Sequence, residues 1–368
     1  MMRRQPCSRR LPEELISEVL YRVPVRYLLR FRCVCKSWKT LISSPQFVKD
    51  YCRISFSITT EQQLVCLTHT DWRHITTYSL QSLCENVIAP SETSSFRVER
   101  RYGLIIGSCN GLVCLCDDLG FFKLRNPFTR LTSKRSPSLG LTNQRIQMTM
   151  TMYGFGYDQL NNKYKVLITY DFITKLHTFG TKSWTTIQAF PPCTPPLHWW
   201  DRVGKFVSSS GSTLNWLVQE RDRIISFDLE KETYGAVLLP LPHYMEDGAD
   251  LPCNLEVLNN CLCLCYLNDI HCVLWSMNMY GIQESWTKLI LIPRCKIPRP
   301  IGASLHIRPL CISENGLVLM ELDSDRLKLQ LVMYNALNGK LDYPEIMGPS
   351  SRQYMHIYHE SSVSPLSL

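Results

Sequence analysis

A turn followed by an apolar strand recurs along most of this chain. Asn110-Gly111-Leu112, Gly211-Ser212-Thr213-Leu214, Asn259-Asn260-Cys261-Leu262 and Asn315-Gly316-Leu317 each open such a unit. A second strand ending in a polar turn follows each of them: "FKLRNPFTR", "IISFDLEKET", "VLWSMNMYG" and "LVMYNALNGK". The starts lie 100, 49 and 56 residues apart, and "YGFGYDQLNNKYKVLITY" with "HTFGTKSWTTIQ" fills the long gap. A period of about 50 residues with about four short strands per unit predicts a kelch-type β-propeller. One such unit cannot bury both faces, whereas neighbours packed radially can. The 316 residues from 53 to 368 hold about six units. A pair of β-sandwiches is the alternative architecture.

The first fifty residues differ. They carry 11 Lys/Arg against 4 Asp/Glu, whereas the rest of the chain carries 29 against 28. The excess charge therefore serves something local. Helical spacing begins after Pro12, with the i,i+4 pairs Leu15/Val19 and Ile16/Leu20 predicted to form one apolar face. Pro24 interrupts it, and apolar residues resume at Val25, Leu28, Leu29, Phe31, Val34, Trp38, Leu41 and Ile42. "QFVKDY" adds a short turn at most. The expected organisation is a basic stretch at 1–10, a small helical domain at 11–51 and a β domain at 52–368, so the fold class is mainly β with a small α-helical head.

Seventeen cysteines with no CxxC pair, no N-x-Ser/Thr sequon and no apolar N-terminal run point to reduced thiols, in nucleus or cytoplasm. On a helix, Cys33 and Cys35 point about 200° apart, which is poor geometry for a metal. Cys114/Cys116 and Cys261/Cys263/Cys265 share strand faces and fit core filling. Gly107-Ser-Cys109-Asn-Gly111 formally matches a nucleophile elbow, but the strand "LVCLC" follows where a helix is needed. No metal and no cofactor is expected. Arg26, Arg30, Arg32, Lys36 and Lys39 suit phosphate contacts, yet so many apolar residues accompany them that a protein partner, apolar within and acidic at its margin, is the better expectation.

"LPEELISEVLYRVPVRYLLRFRCVCKSWKTLISSPQF" resembles an F-box, a three-helix domain, as an ordered pattern of about forty residues. "GSCNGLVCL", "NPFT", "YGFGYDQLNNKYKVL" and "YHESSVSP" resemble the kelch-type F-box-associated interaction domain of plant F-box proteins. Together the two resemblances span nearly the whole chain. They imply a non-catalytic substrate receptor of a cullin–RING ubiquitin ligase, with the F-box on a Skp-type adaptor and the propeller holding the protein to be ubiquitinated. An interaction scaffold acting without the ligase is the alternative.

By that resemblance, Leu11, Pro12, Leu15, Ile16 and Leu20 pack on the adaptor, and Pro24, Val25, Leu28 and Leu29 continue the surface. Arg32, Lys36 and Lys39 border it, while Val34 and Trp38 lock the helices and partly face the adaptor. For the target, the proline-stiffened loop "FPPCTPPLHWWDRVGK" (190–205) offers Trp199 and Trp200 as anchors, with Asp201 and Arg202 adding polar specificity.

Overall fold

The structure, a computed structural model, describes residues 12–366 apart from 56–61, 70–72, 86–91, 100–101, 140–150, 171–172, 194–198, 209–210, 219–222, 242–251, 298–304, 325–326, 345 and 347–352. Four helices come first: α1 (Glu13–Leu20), α2 (Val25–Phe31), α3 (Lys36–Ile42) and α4 (Pro45–Ser55). Three helices and a short turn were expected; the turn is the eleven-residue α4. Its apolar residues Phe47 and Tyr51 are four apart and share one buried face.

Strands then build six sheets arranged as propeller blades. Blade 1 holds β1 (Gln62–His69), β2 (Arg73–Ser79) and β3 (Glu92–Arg97), with helix α5 (Leu80–Glu85) between the last two. Blade 2 holds β4 (Tyr102–Cys109), β5 (Leu112–Asp117) and β6 (Phe122–Arg125). Blade 3 runs from β7 (Met152–Asp158) through β8 (Lys163–Tyr170) and β9 (Ile173–Thr178) to β10 (Thr185–Ile187). Blade 4 holds β11 (Lys205–Val207), β12 (Thr213–Leu217), β13 (Ile224–Asp228) and β14 (Thr233–Val237). Blade 5 holds β15 (Pro252–Leu258), β16 (Cys261–Leu267), β17 (His271–Met277) and β18 (Trp286–Pro293). Blade 6 holds β19 (Leu305–Ile312), β20 (Leu317–Ser324), β21 (Leu327–Asn335) and β22 (Leu341–Asp342).

The last strand, β23 (Gln353–His359), returns to blade 1 and pairs antiparallel with β1, from Thr68↔Gln353 to Gln62↔His359. It is the inner strand that blade 1 otherwise lacks. The inner strands β4, β7, β11, β15, β19 and β23 contact one another in a closed ring. The chain's two ends thus complete one blade between them.

Period-two alternation explains how the blades cohere. Leu64 and Cys66 point towards blade 6, and Val65 and Leu67 towards blade 2. Each of the six blade junctions holds its own apolar cluster in this way. The paired cysteines behave as expected of core fillers, with Cys114 and Cys116 in one cluster and Cys263 and Cys265 in another. Burial pushes the Cys114, Cys116 and Cys109 thiols well up, so they pack as small hydrophobes. The turn before β5 is a tight hairpin with Asn110 and Gly111 both left-handed (φ 50° and 76°), not an elbow leading into a helix.

Ionised groups line the ring's centre. Lys205 of β11 donates to Glu256 Oε1 of β15 at 2.8 Å, and Arg308 Nε of β19 donates to the same oxygen at 2.6 Å. Arg308 also reaches Glu321 Oε2 and the Met355 carbonyl of β23, both at 3.0 Å. One polar network therefore crosses four consecutive inner strands. Burial raises the Glu256 carboxyl, but the Arg308 and Lys205 charges outweigh it and hold the group below its ordinary value. Glu256→Gln leaves both cations buried with less compensation and should cost about 3–5 kcal/mol, read by thermal unfolding.

His356 and His359 of β23 sit beside this network. Burial pushes His359 down to about 4, and burial with the Arg308 and Lys205 charges pushes His356 well below its ordinary value. A histidine whose pKa is depressed in the folded state destabilises the fold as the unfolded chain takes up protons. Stability should therefore fall as pH drops below about 6.5, on the order of 1–3 kcal/mol by pH ~4 for His359 alone. Denaturant titrations from pH 7 to 4.5 check this, and His356→Gln with His359→Gln should flatten the slope.

Candidate adaptor-docking surface

The helical head has a small core made by Leu20, Val25, Leu28, Ile42, Phe47 and Tyr51. Aromatic pairs close it: Tyr21 stacks on Phe47 with centroids 4.9 Å apart, and Phe31 meets Trp38 at 5.5 Å. Tyr51 Oη donates to the Val23 carbonyl at 3.1 Å, tying α4 to the turn before α2. Pro12 and Pro24 stand just ahead of α1 and α2, where their missing N–H groups cost no helical hydrogen bond.

This core corrects part of the expected docking set. Leu20, Val25 and Leu28 are at most 1% exposed and hold the head together from within. The two i,i+4 pairs of α1 are not one face. Ile16 and Leu20 form the inner row, whereas Leu15 (52% exposed) and Val19 (62%) form an outer row that the head leaves uncovered. Pro12, Val34 (63% exposed) and Lys36 are also exposed, and Ile16, Pro24, Leu29, Arg32 and Trp38 are half-buried. Leu11 lies outside the described residues. Val19 and the 43%-exposed Tyr27 join the surface and were not singled out for it from the sequence.

Charge surrounds these apolar residues. Among the described residues Arg26, Arg30, Lys36 and Lys39 form no ion pair. The Arg26 and Arg30 guanidiniums lie 5.9 and 5.7 Å from the Tyr27 ring centroid. The head thus presents the aliphatic row on α1, which itself carries Glu13, Glu14 and the Glu18–Arg22 pair, and cations without an ion pair on α2 and α3.

The head rests on the propeller face that carries the turns between first and second strands. Lys49 Nζ donates to Asn162 Oδ1 at 2.9 Å, and Phe128 of the "NPFT" turn packs against the head's core. Behind β23, Ser361 Oγ donates to the Asn110 carbonyl at 2.7 Å, and Asn126 Nδ2 donates to the Ser361 and Val363 carbonyls at 2.9 Å. Gly111 leaves room for Ser361; a Cβ there would collide with it. A groove of about 800 Å³ remains between head and propeller, lined in part by Arg32, Lys49, Tyr157 and Phe206.

Antiparallel order places the connections from fourth to first strands on the opposite face, and the loop 190–205 is one of these. Trp199–Arg202 is a short 3-10 turn there. Asp201 accepts a hydrogen bond from Asn254 Nδ2 at 3.1 Å, and Arg202 is buried. Asp201 thus ties the turn to β15, and the burial of Arg202 leaves little of it to add the expected polar specificity. The Trp199 and Trp200 side chains lie outside the described residues.

Comparison with known proteins agrees with this geometry. Residues 9–55 match the F-box domain, and residues 84–364 match the F-box associated beta propeller domain. The chain belongs to the F-box proteins with an associated propeller. The F-box/kelch-repeat protein At3g23880 of Arabidopsis thaliana is 30% identical over 373 residues, covering 97% of this chain and 96% of that one. F-box protein CPR1 of the same plant is 25% identical, covering 86% of this chain and 81% of that one. Among solved structures, U3-55K is similar at 8% identity and a TM-score of 0.38, covering 76% of this chain and 80% of that one. The head is thus the F-box, and its inner and outer rows should separate by mutation. Leu20→Ala or Leu28→Ala should cost about 2–5 kcal/mol. Leu15→Ala with Val19→Ala should change stability by about 0.5 kcal/mol or less, measured by denaturant unfolding of the full chain.

Proposed function

We propose that this F-box protein is the substrate receptor of a Skp–cullin–F-box ubiquitin ligase in nucleus or cytoplasm. The observation that carries the reading is the outer row of α1, Leu15 and Val19, exposed on a head whose α2 and α3 carry cations that form no ion pair among the described residues. A folded head gains nothing by presenting two aliphatic side chains to water. A Skp-type adaptor with an apolar groove and acidic margin would cover the row and neutralise Arg26, Arg30, Lys36 and Lys39. Val34, in the turn between α2 and α3, is a further exposed apolar contact.

Under this reading the chain contributes geometry and its partners contribute the chemistry. The adaptor and cullin bring the charged ligase partner to one end, and the propeller holds the target protein at another. The gain is effective concentration: an acceptor lysine held nearby reacts as if intramolecular. The loops of the face opposite the head are the proposed target surface, because that face is free of the F-box. The ionised groups at the channel centre are saturated by one another and serve the fold.

Co-purification with a Skp-type adaptor tests the reading. Wild-type protein should retain the adaptor, and Leu15→Asp with Val19→Asp should lose it by about 2 kcal/mol or more of binding while its unfolding midpoint stays near wild type. Charge reversal at Arg30 and Lys36 should mainly slow association and flatten its fall with salt. A stable double variant that still holds the adaptor would move the docking surface elsewhere.

A further inference from the structure

Blade 2 carries a pair of arginines that no carboxylate matches among the described residues. Three cations on its flank are matched by carboxylates: Lys123 with Glu99 at 2.7 Å, Arg135 with Asp117 at 2.9 Å, and Arg73 with Asp118 at 3.6 Å. Arg125 and Arg130 are not matched. They stand on either side of the Asn126–Thr129 turn, and neither forms an ion pair or side-chain hydrogen bond among the described residues. The Arg125 guanidinium lies 4.0 Å from the centroid of the Phe96 ring on blade 1, and its Nε is buried without a hydrogen-bond acceptor. The Thr129 hydroxyl in the same turn is likewise buried without a partner. Arg130 adds repulsion, because burial and its charge together depress the Arg125 pKa. Its backbone is left-handed (φ 62°), an uncommon conformation for any residue other than glycine, asparagine or aspartate.

A half-buried cation beside a second cation is unfavourable unless an anion joins them. The unmet donors specify that anion. A planar guanidinium fixed on an aromatic ring presents parallel N–H groups, which match two oxygens of one tetrahedral or planar oxyanion. A second arginine and a hydroxyl on the same turn favour the higher charge and third oxygen of a phosphate. Nucleic acid fits less well, because a strand's repeating phosphates call for a row of free cations, and the neighbouring Lys123, Arg135 and Arg73 are already taken.

We propose that Arg125 and Arg130, with the Thr129 hydroxyl, form a phosphoryl-binding site at the blade 1–blade 2 junction. The group is carried either by a phosphorylated side chain of a partner protein or by a free phosphate compound. The site is separate from the α1 docking row, so it does not depend on the adaptor reading.

The test uses the full chain with inorganic phosphate as the first probe, followed by calorimetry and thermal unfolding against sodium chloride of equal ionic strength. A saturable effect of phosphate is expected beyond that of chloride. Arg130→Gln, at an exposed position, should melt like wild type in chloride and bind phosphate about tenfold more weakly. Arg125→Gln should weaken phosphate binding to a similar degree while also losing the stack on Phe96, so its binding is compared at a temperature well below its own melting point; Arg125→Lys should rescue only partly because the paired N–H groups are lost. Peptides with one central phosphoserine, compared with their unphosphorylated forms, separate the two sources. Phosphopeptides binding more tightly than phosphate assign a protein partner; equal or weaker binding assigns a free compound. Phosphate acting no differently from chloride, or equally on the arginine variants, overturns the site. So does an oligoribonucleotide that binds wild type, fails on the variants and is not displaced by phosphate. Adaptor co-purification should be unchanged in both Gln variants.

Discussion

The pairing of β23 with β1 is the constraint on which the molecule rests. Without it blade 1 has no inner strand, and β19 and β4 each lose a neighbour in the ring. The closure is made by backbone hydrogen bonds from Gln62 to Thr68, by the apolar clusters on either side of blade 1, and by the Arg308 contact with Met355. Because it joins residues almost 300 positions apart, its loop-closure entropy must be offset by many junctions forming together. The same strand carries His356 and His359, whose burial favours their neutral forms and is expected to make the closure sensitive to acid.

Closure also places the F-box. The segment after β23 turns across the Asn110-Gly111 hairpin and is held there by Ser361 and Asn126. The head sits beside it on the same face, through Lys49, Cys52 and Phe128. The F-box and the segment that follows β23 thus lie on one side of the propeller.

The propeller was legible because its signal is local and repeated. Asn110-Gly111, Asn162, Gly211, Asn259-Asn260 and Gly316 all mark the same turn of successive blades, each with positive φ. Blade 1 has no such mark, since its first and second strands come from opposite ends of the chain. The repeated Ser183-Trp184-Thr185 and Ser285-Trp286-Thr287 are a further signal in plain view. Each indole N–H bridges to the preceding blade, at the Pro137 and Leu238 carbonyls. The head was legible as helices but not as inside and outside. Leu15/Val19 and Ile16/Leu20 have the same spacing and chemistry, and only the positions of Phe47 and Tyr51 on α4 decide which pair is covered. Arg202 is buried and half-buried Asp201 is tied to Asn254 of β15, neither of which local sequence shows. Lys205, Glu256 and Arg308 went unremarked because nothing local shows that three charges tens of residues apart meet at one point.

The central claim is that the closed propeller seats an F-box whose outer α1 row is completed by a second polypeptide. Hydrogen exchange of the full chain, alone and with a Skp-type adaptor, measures this directly. Exchange should slow in 12–22 and 32–38 on mixing, with β23 and β1 equally slow in both states. Protection confined to the propeller, or no change in the head on mixing, would contradict it.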